Sequence, residues 1–111
     1  MKTISLLAVR LLTTSVLMLG VSATAHAQEK ATQLHNRATA AMCANCHGTD
    51  GRTIEGSAIP SLVGMPKDYM VLQMKAFKDG SRPATVMHQI TKGLTDAQID
   101  TISSYYAAIK R

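Results

Sequence analysis

The stretch AAMCANCHGTDG, Ala40 to Gly51, sets both cysteines of the chain three residues apart with a histidine directly behind the second. Four readings compete for such a pair: a disulfide, half of a zinc site, a dithiol redox centre, or an attachment point for something larger. A Cys43–Cys46 disulfide closes too small a loop to stabilise a fold by much. A structural zinc site needs four ligands, usually including a second Cys or His pair, and His35 and His88 do not form one. A thioredoxin-type dithiol belongs in a βαβ setting, and no alternating strand pattern of useful length occurs here. Cys-x-x-Cys-His is instead the signature of covalent c-type haem attachment. On a helix, positions i, i+3 and i+4 share a face, so Cys43 and Cys46 reach the two vinyl groups as thioethers while His47 reaches the iron.

The flanking sequence fits an exported protein. Lys2 and Arg10 form a positive leader region, Leu11 to Val21 an apolar core, and Ala25-His26-Ala27 a small-residue cleavage site, so residues 1–27 read as a signal peptide cut after Ala27. The alternative, a retained membrane anchor, is opposed by the length of the uninterrupted core, since a span needs about 20 apolar residues. Residues 28–111 then form one domain of 84 residues. Processing removes two of the 12 basic residues and none of the 7 acidic ones, leaving a formal charge of +3. That mild charge calls for no nucleic-acid partner, and no membrane insertion is expected after cleavage. Phe77 is the only phenylalanine and tryptophan is absent. A domain this small is marginal without a full core, so a bound group has to supply the missing bulk.

Three helices are expected, separated by two long irregular segments. In the first, Leu34, Ala38 and Ala41 recur at helical spacing. The second runs from about Pro66 to Lys78, with Pro66 in the first turn, Met70, Met74 and Phe77 on one face and Gly80 as the stop. The third starts at Thr95, which forms a capping box with Gln98, and carries Ile99, Ile102, Tyr106 and Ile109 on one stripe. The intervening segments, HGTDGRTIEGSAIPSLVGMP and DGSRPATVMHQITKG, are long for loops of a compact domain. They make sense if both wrap a large flat ligand.

With MCANCHGTDG, IPSLVGMP, FKDGSRPATVM and GLTDAQIDTISSYYA in this order, the chain resembles monohaem class I cytochromes c. Within them it is similar to the haem subunit of flavocytochrome c sulfide dehydrogenase and related small bacterial periplasmic cytochromes. The resemblance implies an all-α fold of three main helices and two long loops around one covalent haem c. It also implies His47 and Met87 as axial ligands of the iron. Met42, Met65, Met70 and Met74 compete with Met87 as ordinary core filler, and His88 is its chemical rival as a second imidazole. The family pattern gives the Pro60 carbonyl to the His47 ring. Leu62 is expected on the haem face and Arg82 near a propionate, an exposed arginine being the plain alternative. Tyr69, Tyr105 and Tyr106 read as core or helix-crossing residues. Lys67, Lys75, Lys78 and Lys92 are either a cationic rim at the haem edge or a solvated surface.

The resemblance therefore implies a periplasmic electron-transfer protein rather than an enzyme. Its partner is a flavoprotein dehydrogenase subunit, with sulfide as the expected substrate of that partner, or another redox protein. A free carrier between a dehydrogenase and a terminal oxidase or reductase is the second reading. A haem enzyme or gas sensor is the third, and requires Met87 to leave the iron.

Overall fold

The computed structural model describes the backbone of residues 6–111 and the side chains of residues 25–111. The expected signal peptide, residues 1–27, lies outside the described side chains apart from the three residues at its cleavage site. The chain divides into two units, 1–34 and 35–111. The second contains the Cys-x-x-Cys-His motif, the core and the candidate site.

All regular structure among the described residues is helical: α1 (Leu6–His47), α2 (Lys67–Asp79), α3 (Met87–Lys92) and α4 (Asp96–Ala108), with a single 3-10 turn at Thr49–Gly51. The best-formed elements are those with complete local punctuation. Pro66 caps α2, with the Met70 amide donating to its carbonyl oxygen at 3.1 Å, and the helix stops at Gly80 in a left-handed conformation. α4 opens with a full capping box: the Gln98 amide donates to Thr95 Oγ1 at 3.2 Å and the Thr95 amide to Gln98 Oε1 at 2.9 Å.

The two helices bury most of the stripes their periodicity predicts, although Phe77 and Ile109 are only half-buried and Phe77 faces the Arg82 guanidinium instead of the core. Met70 and Met74 of α2 meet Ile99, Ile102 and Tyr106 of α4, with Ala40 of α1 and Leu94 completing the core. Ser103 belongs to the same buried stripe, its hydroxyl directed at Met74 Sδ. Ion pairs run along the seam: Lys67 to Asp100 at 2.7 Å, and Lys75 and Lys78 to Asp96 at 3.3 and 3.0 Å. Lys78 also donates to the Leu94 carbonyl oxygen at 2.7 Å. Three of the four lysines considered for a cationic rim therefore join α2 to α4, while Lys92 is exposed.

Other expectations need correction. The inward face of α1 is not Leu34, Ala38 and Ala41, all of which are exposed; it runs Asn36, Ala40, Cys43 and His47. Ala40 sets this register because it presents no bulk to Tyr106, whose hydroxyl seats on its carbonyl. Tyr69 is exposed rather than core. The segment from Asp79 to Gly93 is not all loop, since α3 occupies its second half. No side chain caps α3. It is held by Thr91, fully buried, whose hydroxyl donates to the Met87 carbonyl oxygen at 2.8 Å.

Candidate functional site

His47 is the last residue of α1 and is buried, only 8% exposed. Its Nδ1 lies 2.7 Å from the Pro60 carbonyl oxygen. That carbonyl is an acceptor only, so Nδ1 carries the proton and Nε2 keeps a free lone pair, the form in which imidazole binds a metal. Cys43 lies one turn earlier on the same inward stripe and is half-buried; Cys46 is exposed, and both are free thiols. Burial pushes the Cys43 thiol above its ordinary pKa.

The loop after α1 brings Pro60 back to His47. The carbonyl oxygen of Gly51 accepts both the Leu62 amide at 2.8 Å and the Ser61 hydroxyl at 2.9 Å, closing the chain on itself just beyond Pro60. Gly51 has φ 76°, and a Cβ there would stand 2.6 Å from Tyr106 Cε1. The loop therefore packs directly on the ring that ties α4 to α1. Leu62 and Met65 are half-buried against the core, and the Met65 amide donates to the Leu62 carbonyl oxygen at 3.2 Å.

Among the five methionines considered as iron ligands, Met70 and Met74 are spent in the core and Met42 is exposed. Met87 is the first residue of α3 and half-buried. Its neighbour His88 has a buried Nδ1 without a hydrogen-bond partner and lines an open cleft of about 340 Å³ with Phe77, Arg82, Pro83 and Lys92. Arg82 lies with its guanidinium 4.6 Å above the Phe77 ring and donates to Gln73, while its amide donates to the Ala76 carbonyl oxygen at 2.9 Å. A second opening, of about 180 Å³, lies between α1 and α4 and is lined by Ala41, Ala44 and Tyr105.

The donor set fits a c-type haem. Two unpaired thiols and an imidazole with one nitrogen already committed lie at the end of one helix. Among the described residues no group of three or more His, Cys, Asp or Glu side chains converges on a single ion. The hydrogen bonds that shape the site, by contrast, run largely to backbone carbonyls. Neither the Gly51 carbonyl nor the Val63 and Lys110 carbonyls, which accept from Arg111 and Arg52, have a sequence signature, because any residue offers such an acceptor.

The family model described as cytochrome c matches residues 36–109. The cytochrome subunit of sulfide dehydrogenase from Chlorobaculum tepidum is 41% identical over 69 residues, covering 62% of this chain and 61% of that protein. The thiosulfate dehydrogenase electron acceptor of Thiomonas intermedia is 37% identical over 71 residues, covering 64% and 33%. Cytochrome c4 of Pseudomonas aeruginosa is 35% identical over 101 residues, covering 91% and 49%. The chain thus spans between a third and three fifths of the length of these relatives.

Proposed function

The chain belongs to the cytochrome c family, an electron-transfer family whose cofactor is covalently bound haem c, and from that premise we propose that it is a periplasmic haem subunit accepting electrons from a flavoprotein dehydrogenase that oxidises sulfide. The observation that carries the site is the 2.7 Å contact between His47 Nδ1 and the Pro60 carbonyl. It fixes the ring and its tautomer, raises the basicity of Nε2 and leaves that nitrogen for the iron.

In this reading Cys43 and Cys46 would hold the haem as thioethers, and His47 and Met87 would be the residues that ligate its iron. The bound haem supplies a one-electron couple. With His47 and Met87 both serving as ligands, the protein would offer substrate no open coordination site. A thioether opposite imidazole favours the reduced state and raises the potential. Leu62, half-buried against the core, would lie on the haem face. Arg82, held over Phe77, has its charge at the rim of the cleft next to α3.

The reading as a subunit, rather than a freely diffusing carrier, is supported by the surface. Lys67, Lys75 and Lys78 are engaged with aspartates of α4 instead of forming a free cationic array. Of the apolar loop residues, Val63 is buried, whereas Ile59 and Val86 remain exposed at 40% and 54%. Similarity to a protein named as a sulfide dehydrogenase subunit supports the choice of partner.

Three measurements test the cofactor site. Denatured protein keeps its haem through acid-acetone extraction, and pigment lost to the solvent rejects covalent attachment. The Cys43→Ala, Cys46→Ala double variant fails to fold, because the haem is much of the core. Oxidised protein shows the weak absorption band near the red edge that marks iron–sulfur ligation, and Met87→Ala abolishes it and lowers the potential. A Met87→Ala protein that keeps both properties assigns the iron to another methionine, and a wild type without the band points to His88.

A further inference from the structure

The loop that carries Pro60 is held from outside by α4 and the residues following it. The Gly64 amide donates to the Tyr106 carbonyl oxygen at 3.0 Å. Arg111 Nε donates to the Val63 carbonyl oxygen at 3.2 Å, and Arg52 Nη2 to the Lys110 carbonyl oxygen at 2.6 Å. These contacts interlock, one arginine reaching from the tail to the loop and the other from the loop to the tail. Gly64, at φ 62°, lets the aliphatic stem of Arg111 lie against the loop backbone, since a Cβ there would stand 2.7 Å from Arg111 Cγ.

The clamped residues lie close to the ligand-bearing segment. Val63 is three residues beyond Pro60, and Arg52 directly follows Gly51, whose carbonyl closes the loop onto Ser61 and Leu62. We propose that Lys110 and Arg111 form a strap which, with Arg52, holds this loop shut and thereby keeps the Pro60 carbonyl on His47, making Arg52 and Arg111 positioning residues for the axial imidazole. The inference rests on His47 as the iron ligand. Its physical content is local: with the strap released, the loop opens more often without global unfolding, and the Nδ1 proton loses its acceptor during each opening. A ring bonded less of the time to a carbonyl is a weaker donor, so the ferric state is less stabilised and the potential rises.

The test uses haem-loaded protein. Proton NMR follows exchange of the His47 ring Nδ1 hydrogen into deuterium oxide, and a redox titration gives the midpoint potential. Arg111→Ala and Arg52→Ala exchange that hydrogen about tenfold faster than wild type and have a raised potential. Arg111→Lys, which can still donate to the Val63 carbonyl, recovers most of both. Asp96→Asn loosens the α2–α4 seam at the opposite end of α4 from the strap and controls for general loss of stability; it leaves exchange and potential at wild-type values. The strap is rejected if both arginine variants match wild type, or if Asp96→Asn moves the two readouts equally far. Absence of iron-shifted His47 ring signals in the wild type rejects the ligation itself, an outcome distinct from ring signals that are present but insensitive to the arginines.

Discussion

Tyr106 donates its hydroxyl hydrogen to the carbonyl oxygen of Ala40 at 2.8 Å, joining α4 to α1 where both residues are sealed from solvent. The carbonyl already serves the helix ladder, so this is a second bond, and it fixes the register in which α1 presents Cys43 and His47. Burial pushes the phenol above its ordinary pKa, so that it is a donor at neutral pH.

Tyr106→Phe removes the donor while keeping the ring. The expected loss is about 0.5–1.5 kcal/mol, the net worth of one hydrogen bond, because the Ala40 carbonyl keeps its helix partner. Denaturant titration should show a lower midpoint at unchanged slope. An unaltered midpoint would mean that ring packing alone holds the crossing.

Gly51→Ala should cost more than Tyr106→Phe. Left-handed backbone costs a residue with a Cβ about 1–2 kcal/mol, and forcing that carbon against the Tyr106 ring adds about 1–3 kcal/mol. The comparison is made by thermal unfolding of both variants. A Gly51→Ala protein as stable as wild type would show that the loop does not bear on this ring.

The same pair shows what the sequence could and could not disclose. α2 and α4 were legible because their signals are local: Pro66, Gly80, the Thr95–Gln98 box and apolar stripes at helical spacing. The inward face of α1 was not, because Asn36, Ala40 and Cys43 present no apolar stripe and take their register from a tyrosine far along the chain. α3 escaped for a related reason, being six residues long, uncapped by any side chain and anchored by a buried threonine. At the site, the attachment motif announces itself through residue type. The Pro60 role came only through family resemblance, and the Arg52 and Arg111 contacts end on backbone oxygens that no side-chain pattern marks.

The α2–α4 seam should be acid-sensitive through Asp96. The hydrogen bond from Lys78, followed by that from Lys75 and the charge of both, holds its carboxyl below the ordinary value. A group depressed in the folded state adds stability above its unfolded pKa of about 3.9 and loses it as pH falls through the folded value. Melting temperature should therefore drop below about pH 4, with a shallower fall for Asp96→Asn. Some slope remains in the variant because the Ser81 hydrogen bond likewise depresses Asp79. Identical profiles for the two proteins would remove Asp96 from the account. Since these groups are exposed, molar salt should also narrow the difference at neutral pH.

The final prediction separates a bound subunit from a diffusing shuttle. A shuttle finds its partner by electrostatic steering, so its electron-transfer rate falls steeply as the Debye length contracts below about 10 Å. A subunit buries apolar surface and stays in place at salt that disperses a steered encounter. Here Ile59 and Val86 are exposed apolar residues, while the α2 lysines that could steer are drawn onto Asp96 and Asp100. Purified from its native source in high salt, the protein should therefore retain a flavin-containing chain, and Val86→Asp should release that chain without changing the haem spectrum. The spectrum matters because Val86 adjoins Met87 in sequence: a release accompanied by loss of the iron–sulfur band would trace the effect to the ligand instead of the interface. If the wild-type cytochrome elutes alone near its monomer size, and its reduction by candidate donors slows sharply with added salt, the subunit reading falls and the protein is a soluble electron carrier.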